Sequence, residues 1–214
     1  MSWLQRFGKR RLRLSHNEQL RLVPGCRISQ VIFGCHVRIE DRATFASSAI
    51  GDHSYVGPDS LTVQATIGEF CSRAFGVLIG ARGHLVRAFM STHPPLNLAR
   101  ADIGWSSADN DYSTEFAPTA IANDVLIEAR SILRDGVRVG DGVIVVQNNA
   151  PHSIPGCVPS VLIRMRFCDD DIATLPRIEW LNRDDGWMRA DLLQSKDIAL
   201  LREAAAELAL EAVR

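Results

Sequence analysis

Apolar residues recur every six positions in two blocks of this chain. In the later block they fall at Ile121, Ile127, Leu133, Val139 and Val145, and the three residues after each of the first four are small or polar. The hexads read Ile121-Ala-Asn-Asp-Val-Leu, Ile127-Glu-Ala-Arg-Ser-Ile, Leu133-Arg-Asp-Gly-Val-Arg and Val139-Gly-Asp-Gly-Val-Ile. The earlier block, from Phe33 to His84, is looser. It passes through Phe33, Ile39, Phe45, Ile50 and Val56, blurs, and resumes as Ile67-Gly-Glu-Phe-Cys-Ser, Arg73-Ala-Phe-Gly-Val-Leu and Ile79-Gly-Ala-Arg-Gly-His. A fixed period of six predicts a parallel β-helix in which each hexad is one short strand and a turn. Three hexads close a triangular coil. The apolar first position points inward and stacks on its equivalent in the next coil, and the small residues after it turn the corner, where glycine has no Cβ to clash. Phe33, Ile50 and Ile67 are spaced by 17 residues, close to three hexads. One coil leaves its apolar side uncovered, so several must stack.

The period divides the chain. Residues 1–22 form an arm or cap, in which Trp3, Leu4 and Phe7 alternate with Arg6, Lys9, Arg10, Arg11 and Arg13. A basic amphipathic start suits weak contact of residues 1–14 with an anionic membrane surface. It suits better a cap over the first coil, because a solenoid requires terminal caps. Residues 23–166 form the β-helix domain. Within it, residues 85–118 lose the period and carry Pro94, Pro95, Gly104 and Pro118. A loop this long inside a compact solenoid is a functional feature or a disordered one. Residues 167–214 read as a helical extension. Asp169-Asp170-Asp171 supplies a helix start, and the Ala/Leu/Glu-rich stretch from Ser195 to Val213 has helical spacing.

Composition narrows the classes. Of 214 residues, 46% are hydrophobic, enough for a sizeable core. The net charge of -1 argues against a polyanion binder, so no nucleic-acid partner is expected. The five cysteines show no Cys-x-x-Cys spacing, so no metal is expected. An odd cysteine count without a secretory leader suits reduced thiols in a cytoplasm, peripheral to the inner membrane surface if the arm engages it. The apolar runs are too short to span a bilayer.

Several segments together resemble the left-handed β-helix hexapeptide-repeat acetyltransferases, the chloramphenicol (xenobiotic) acetyltransferase-like and polysaccharide O-acetyltransferase group. Ile67-Gly-Glu-Phe-Cys-Ser resembles that family's Ile-Gly-x-Phe-Cys-Ser coil, and Ile79-Gly-Ala-Arg-Gly-His84 its Ile-Gly-x-Gly-Asn-His. Ser91-Thr92-His93-Pro94 matches Ser-Thr-His-Pro, and Ile121-Ala-Asn-Asp-Val resembles Ile-Gly-Asn-Asp-Val-Trp. The crossing from Ala150 to Phe167 and the Ile178-Glu-Trp180 stretch resemble the exit from the helix and a downstream helix. The resemblance spans roughly residues 28–190. It implies a left-handed coil, against the usual right-handed crossover; the period alone shows no handedness. It also implies a homotrimer with active sites between subunits, which gives the long loop a neighbour to reach.

The implied chemistry is acetyl transfer from acetyl-CoA, as co-substrate, to a hydroxyl of a sugar or small molecule. A hydroxyl attacks a thioester slowly until a base takes its proton, and histidine has a suitable pKa. His84, which ends a coil and opens the loop, is the expected general base. Ser91, Thr92 and His93 are expected to line the acceptor pocket. Pantetheine is expected on the backbone amides of Ala122, Gly140 and Gly142, and the CoA phosphates on Arg164 and Arg166, whose guanidinium groups fork onto phosphate oxygens. A sugar of a surface polysaccharide, or its precursor, is the expected acceptor, on family membership alone.

The chain also departs from the family pattern. Gly83 replaces the Asn before the catalytic His, Leu126 replaces a Trp, and Glu128 stands at a corner glycine. After Gly140-Asp-Gly142 the chain is about one hexad short of that pattern, where the family cradles pantetheine. These departures keep two alternatives open: a weak or inactive hexapeptide-repeat scaffold, and an N-acetyltransferase of an amino-sugar nucleotide.

Overall fold

The computed structural model describes residues 19–81, 93–96, 98–99, 104–112, 117–146, 164–178, 180–182 and 185–187. The chain divides into two compact units, Met1–Ala150 and Pro151–Arg214. The first is a mainly β parallel solenoid of about six turns, the left-handed β-helix that the resemblance implies.

In chain order its strands are β1 (Arg21–Leu22), β2 (Arg27–Phe33), β3 (Arg38–Ile39), β4 (Thr44–Ile50), β5 (Tyr55–Val56), β6 (Leu61–Val63), β7 (Ala65–Ile67), β8 (Ser72–Arg73) and β9 (Leu78–Ala81). After the inserted loop come β10 (Thr119–Ile121), β11 (Leu126–Ile127), β12 (Ile132–Arg134), β13 (Arg138–Val139) and β14 (Ile144–Val145). The first face stacks β1-β3-β5-β8-β11-β14. The long strands β2 and β4 each run through a corner. The first half of β4 pairs with β6, which leads to β9 and β12; its second half pairs with β7, which leads to β10 and β13. β1 pairs with β3, so the first described coil strand lies within residues 1–22.

The inward columns explain the hexad pattern. On the first face Ile39, Val56, Arg73 and Ile127 stack in register and are fully buried. The second face stacks Phe45, Thr62, Ile79 and Leu133, and the third stacks Phe33, Ile50, Ile67 and Ile121. Val139 and Val145 continue two columns but are only half-buried. Thr62 fills the place where the sequence pattern blurs; its hydroxyl hid it.

Two kinds of residue make the corners. The second residue of a hexad lies against the next coil. A Cβ on Gly68 would approach the Ala122 carbonyl oxygen at 2.6 Å, which no real side chain does. The left-handed residue is the fourth, and it is mostly not glycine: His36, Arg42, His53, Asp59, Phe70, Asp124 and Arg130 all have positive φ. Their side chains form ladders. His36 stacks on His53 at 4.8 Å, and His53 on Phe70 at 4.7 Å. Arg42 donates to both carboxylate oxygens of Asp59 at 2.7 and 2.8 Å.

Coil length differs between the blocks. The steps Ile28 to Phe33, Phe45 to Ile50 and Thr62 to Ile67 are five residues each, at one shared corner, so early coils hold 17 residues. The step Leu133 to Val139 at that corner is six, and β10 pairs with β13 at a spacing of 18. Between the blocks, Ala65 pairs with Thr119, a spacing of 54 (119 − 65). Subtracting one 17-residue coil leaves 37 residues looped out after β9, where the period is lost in the sequence. In the second unit, α1 (Asp169–Ile178) begins on the three aspartates, as expected. The stretch from Ser195 to Val213 lies outside the described residues.

Candidate active site

Three of the expected site residues, His84, Ser91 and Thr92, lie outside the described residues. The strand leading toward them is described. β9 pairs with β6 as far as Ile79 and with β12 as far as Ala81, and its register against β12 shifts at the end. Gly80 there has φ 78, and a Cβ would collide with the Val63 carbonyl oxygen. Glycine is therefore required where the backbone leaves the second face for the loop.

The described parts of the loop are bonded to themselves. Pro94–Leu96 form a 3-10 turn, with Leu96 N donating to the His93 carbonyl at 3.0 Å. Ser107 N donates to the Pro95 carbonyl, and Ser106 Oγ lies 2.9 and 2.6 Å from the Pro95 and Leu98 carbonyl oxygens. Ala99 N donates to Asp111 at 2.8 Å. Tyr112 donates to Asp109, and that hydrogen bond lowers the Asp109 pKa and raises that of the tyrosine. The loop exposes His93, Trp105 and Tyr112.

Ala122, Gly140 and Gly142 meet on one corner of the solenoid, the corner of Gly68. Polar side chains hold it together from coil to coil. Asn123 Oδ1 accepts from Glu69 N at 2.9 Å, and Asp141 Oδ1 accepts from Asn123 N at 2.8 Å. Two of the three amides are already engaged: Ala122 N donates to the Val139 carbonyl and Gly142 N to the Asn123 carbonyl, each at 2.9 Å. Gly140 differs. A Cβ placed there meets nothing within 4 Å, and its amide has no acceptor among the described residues. This corner of the last described coil is thus an open backbone surface that an extended amide-bearing chain could line. Glu128 is accommodated because its side chain is exposed while its amide bonds to the Val145 carbonyl. Arg164 and Arg166 belong to the second unit. Both are exposed, and Arg166 lies over the Phe167 ring at 5.1 Å.

One residue of the same coils drew no expectation of its own, although it opens the hexad Arg73-Ala-Phe-Gly-Val-Leu. Arg73 occupies an inward position and is fully buried. Its Nη1 donates to Thr62 Oγ1 at 2.5 Å and its guanidinium carbon lies 5.3 Å from the Phe45 ring centre. Nε and Nη2 have no hydrogen-bond partner among the described residues. Burial pulls its pKa down to about 9, with a small opposing contribution from Cys71. Cys71 is itself buried, its thiol pushed up to about 11, and Sγ donates to the Ala122 carbonyl at 3.1 Å. That thiol is a packing group, since the thiolate is the nucleophilic form.

No family model matches the chain. It is 33% identical over 135 residues to a chloramphenicol acetyltransferase of Agrobacterium fabrum, covering 59% of this chain and 63% of the relative. It is 32% identical over 151 residues to a "probable macrolide acetyltransferase" of Lysinibacillus sphaericus, covering 66% of this chain and 79% of the relative. The chain thus spans less than two thirds of the Agrobacterium relative and more than two thirds of the Lysinibacillus one. A solved structure, AntD, an N-acyltransferase from Bacillus cereus in complex with dTDP and 3-hydroxybutyryl-CoA, is similar over 59% of this chain and 66% of that chain, with a TM-score of 0.48 and 17% identity.

Proposed function

Because this chain belongs to the hexapeptide-repeat acetyltransferases related to the chloramphenicol and macrolide enzymes, we propose that it transfers an acetyl group from acetyl-CoA to a hydroxyl of a sugar or small molecule. The observation that carries the reading is the kinship over 79% of the macrolide relative, on a solenoid whose described strands stop at Ala81 and resume at Thr119. His84 takes the proton of the acceptor hydroxyl, the oxygen attacks the thioester carbonyl, the carbon–sulfur bond breaks, and the proton passes to the CoA sulfur. Ser91, Thr92 and His93 hold the acceptor, a sugar in this reading. Pantetheine lies along the corner of Ala122, Gly140 and Gly142, where Gly140 offers the free amide. Arg164 and Arg166 take the CoA phosphates.

A homotrimer follows from the same reading. On the outer side of the second face Leu61, Leu78 and Ile132 stack in register, and Ile132 is 63% exposed. Such a stripe suits burial against a second copy. The site works in the cytoplasm, where acetyl-CoA is available, with residues 1–14 as its point of contact with the inner membrane surface.

One observation favours a second reading, an inactive scaffold: the Ala122 and Gly142 amides are spent on coil-to-coil bonds. Calorimetry with acetyl-CoA, using desulfo-CoA as control, separates the two. Saturable binding, with His84→Ala removing most turnover of a sugar acceptor while the oligomer persists, supports the enzyme. Absence of binding at millimolar ligand sinks it. An amino-sugar nucleotide acetylated in place of a hydroxyl acceptor would move the assignment to N-acetyl transfer.

A further inference from the structure

At the start of the solenoid, away from the inserted loop in sequence, two arginines face each other across adjacent coils. Arg21 of β1 pairs in register with Arg38 of β3. Both are exposed on the outer side, because their neighbours Leu22 and Ile39 continue the inward column. Adjacent strands lie about 4.8 Å apart, so the two side chains leave the same surface side by side. Like charges in direct cross-strand register are unfavourable unless something offsets them. Arg38 is partly offset by Glu40, with Nε 2.6 Å from Oε1. Arg21 has no ion-pair partner among the described residues.

The same two residues line a pocket of about 410 Å³ with Gln19, His36 and Val37. That volume lies within the range of about 300–1,000 Å³ common for small-ligand sites. No carboxylate is among these five lining residues. His36 is not a loose surface ring. It stacks on His53 with an interplanar angle of 11°, and His53 stacks on Phe70 with one of 14°, so the ladder fixes its plane.

We propose that this pocket binds a phosphoryl group, with Arg21 and Arg38 taking its oxygens and His36 and Gln19 closing its sides. A carboxylate brings two oxygens and one charge. Two adjacent guanidinium groups present more donors than one, and with Glu40 offsetting part of the Arg38 charge the pair still leaves a net positive edge for the three oxygens of a phosphate monoester. The site stands on the first coils alone and does not depend on the acetyl-transfer reading. The phosphoryl group belongs either to a small soluble phosphate or to a lipid headgroup.

The test uses the full chain. Inorganic phosphate is titrated by calorimetry, with chloride at matched ionic strength as control. Sedimentation with phosphatidylcholine vesicles, with and without phosphatidic acid, forms the second arm. The expected result is saturable binding that Arg21→Gln with Arg38→Gln weakens about tenfold or more, the size of losing charge-assisted hydrogen bonds. Arg27→Gln, on β2 outside the pocket, leaves it unchanged. Binding of free phosphate assigns a soluble ligand. Capture only by phosphatidic acid vesicles, lost in the double variant, assigns a lipid headgroup. The proposal is overturned if neither arm shows binding at about 10 mM phosphate, if Arg27→Gln weakens it equally, or if vesicle capture survives in the double variant. Thermal melting of the double variant checks that the coils remain folded.

Discussion

The early coils, up to Ala81, and the late coils, from Thr119, solve one geometric problem in two ways. Both must turn three corners per coil with the chain in the left-handed region. The early coils mostly use side-chain-bearing residues there, Gln30, His36, Arg42, Ser47, His53, Asp59, Gln64 and Phe70 beside Gly25 and Gly76, and save one residue at a shared corner. The late coils use Asp124 and Arg130, then Gly136 and Gly142, and keep the full six. A non-glycine residue in that region costs of the order of 1–2 kcal/mol. The early coils offset this with side-chain ladders: stacked rings, the Arg42–Asp59 pair, and the Ser47 hydroxyl on Gln30. The late glycines avoid the strain but bring no ladder. The early corners are therefore braced by their neighbours, whereas the last described corner, at Gly140, stands open where the reading puts a substrate.

The comparison predicts where the core is least forgiving. Phe45→Ala, in the fully buried column, is expected to cost about 3–5 kcal/mol. Val145→Ala in the half-buried last coil should cost less than half as much, measured by denaturant unfolding. Equal losses would mean that the late coils are as enclosed as the early ones.

The corner glycines sharpen the same contrast. Gly68→Ala drives a methyl group into the Ala122 backbone and the Asn123 side chain, an overpacking worth about 1–3 kcal/mol. Gly140→Ala, at the equivalent corner, meets nothing and should stay within about 0.5 kcal/mol. If acetyl-CoA lies along that corner, Gly140→Ala should nevertheless raise its KM. An unchanged KM would remove Gly140 from the proposed site.

Arg73 breaks the early pattern from inside. A buried guanidinium with two unpartnered nitrogens is a liability, and apolar replacement of buried charge often stabilises by about 1–4 kcal/mol. Arg73→Met is expected to raise stability by an amount in the lower half of that range, because Thr62 loses its donor. The pH dependence has a definite sign. The folded-state pKa is depressed to about 9, so the unfolded chain holds this proton more tightly. The penalty is complete below pH 9 and is relieved as pH rises through it. The advantage of Arg73→Met should therefore be constant near neutrality and shrink above pH 9 in urea melts run at several pH values. A constant gap up to pH 10.5 would show that Arg73 keeps its proton through that range.

The smallest effect is expected at the outermost ladder. Arg42 and Asp59 are exposed, and their mutual hydrogen bonds raise the arginine pKa and lower that of the aspartate. Solvent and salt screen such pairs. Arg42→Gln should leave the melting temperature almost unchanged, and a large drop would mean that the ladder carries more of the early corner than its exposure suggests.

The period of six was enough to read the parallel solenoid, the place of the insertion and nearly every inward residue, because burial repeats with the coil and apolar side chains mark it. Helix α1 was legible from its three aspartates for a similarly local reason. Thr62 escaped because a hydroxyl at an inward position looks like a corner. Arg73 stood at the right position, but nothing local shows that its guanidinium crosses the core to Thr62, a residue of another face. Likewise, Ala122, Gly140 and Gly142 were readable as corner positions, whereas which of their amides remain available depends on the carbonyl one coil away. The stacking of His36, His53 and Phe70, and the pocket that Arg21 shares with Arg38, exist only because a 17-residue coil brings distant residues into register. Sequence determined the repeat, since each hexad must bury its own first residue; the tertiary structure decided the partners, since hydrogen bonds, rings and charges meet only after the coils stack.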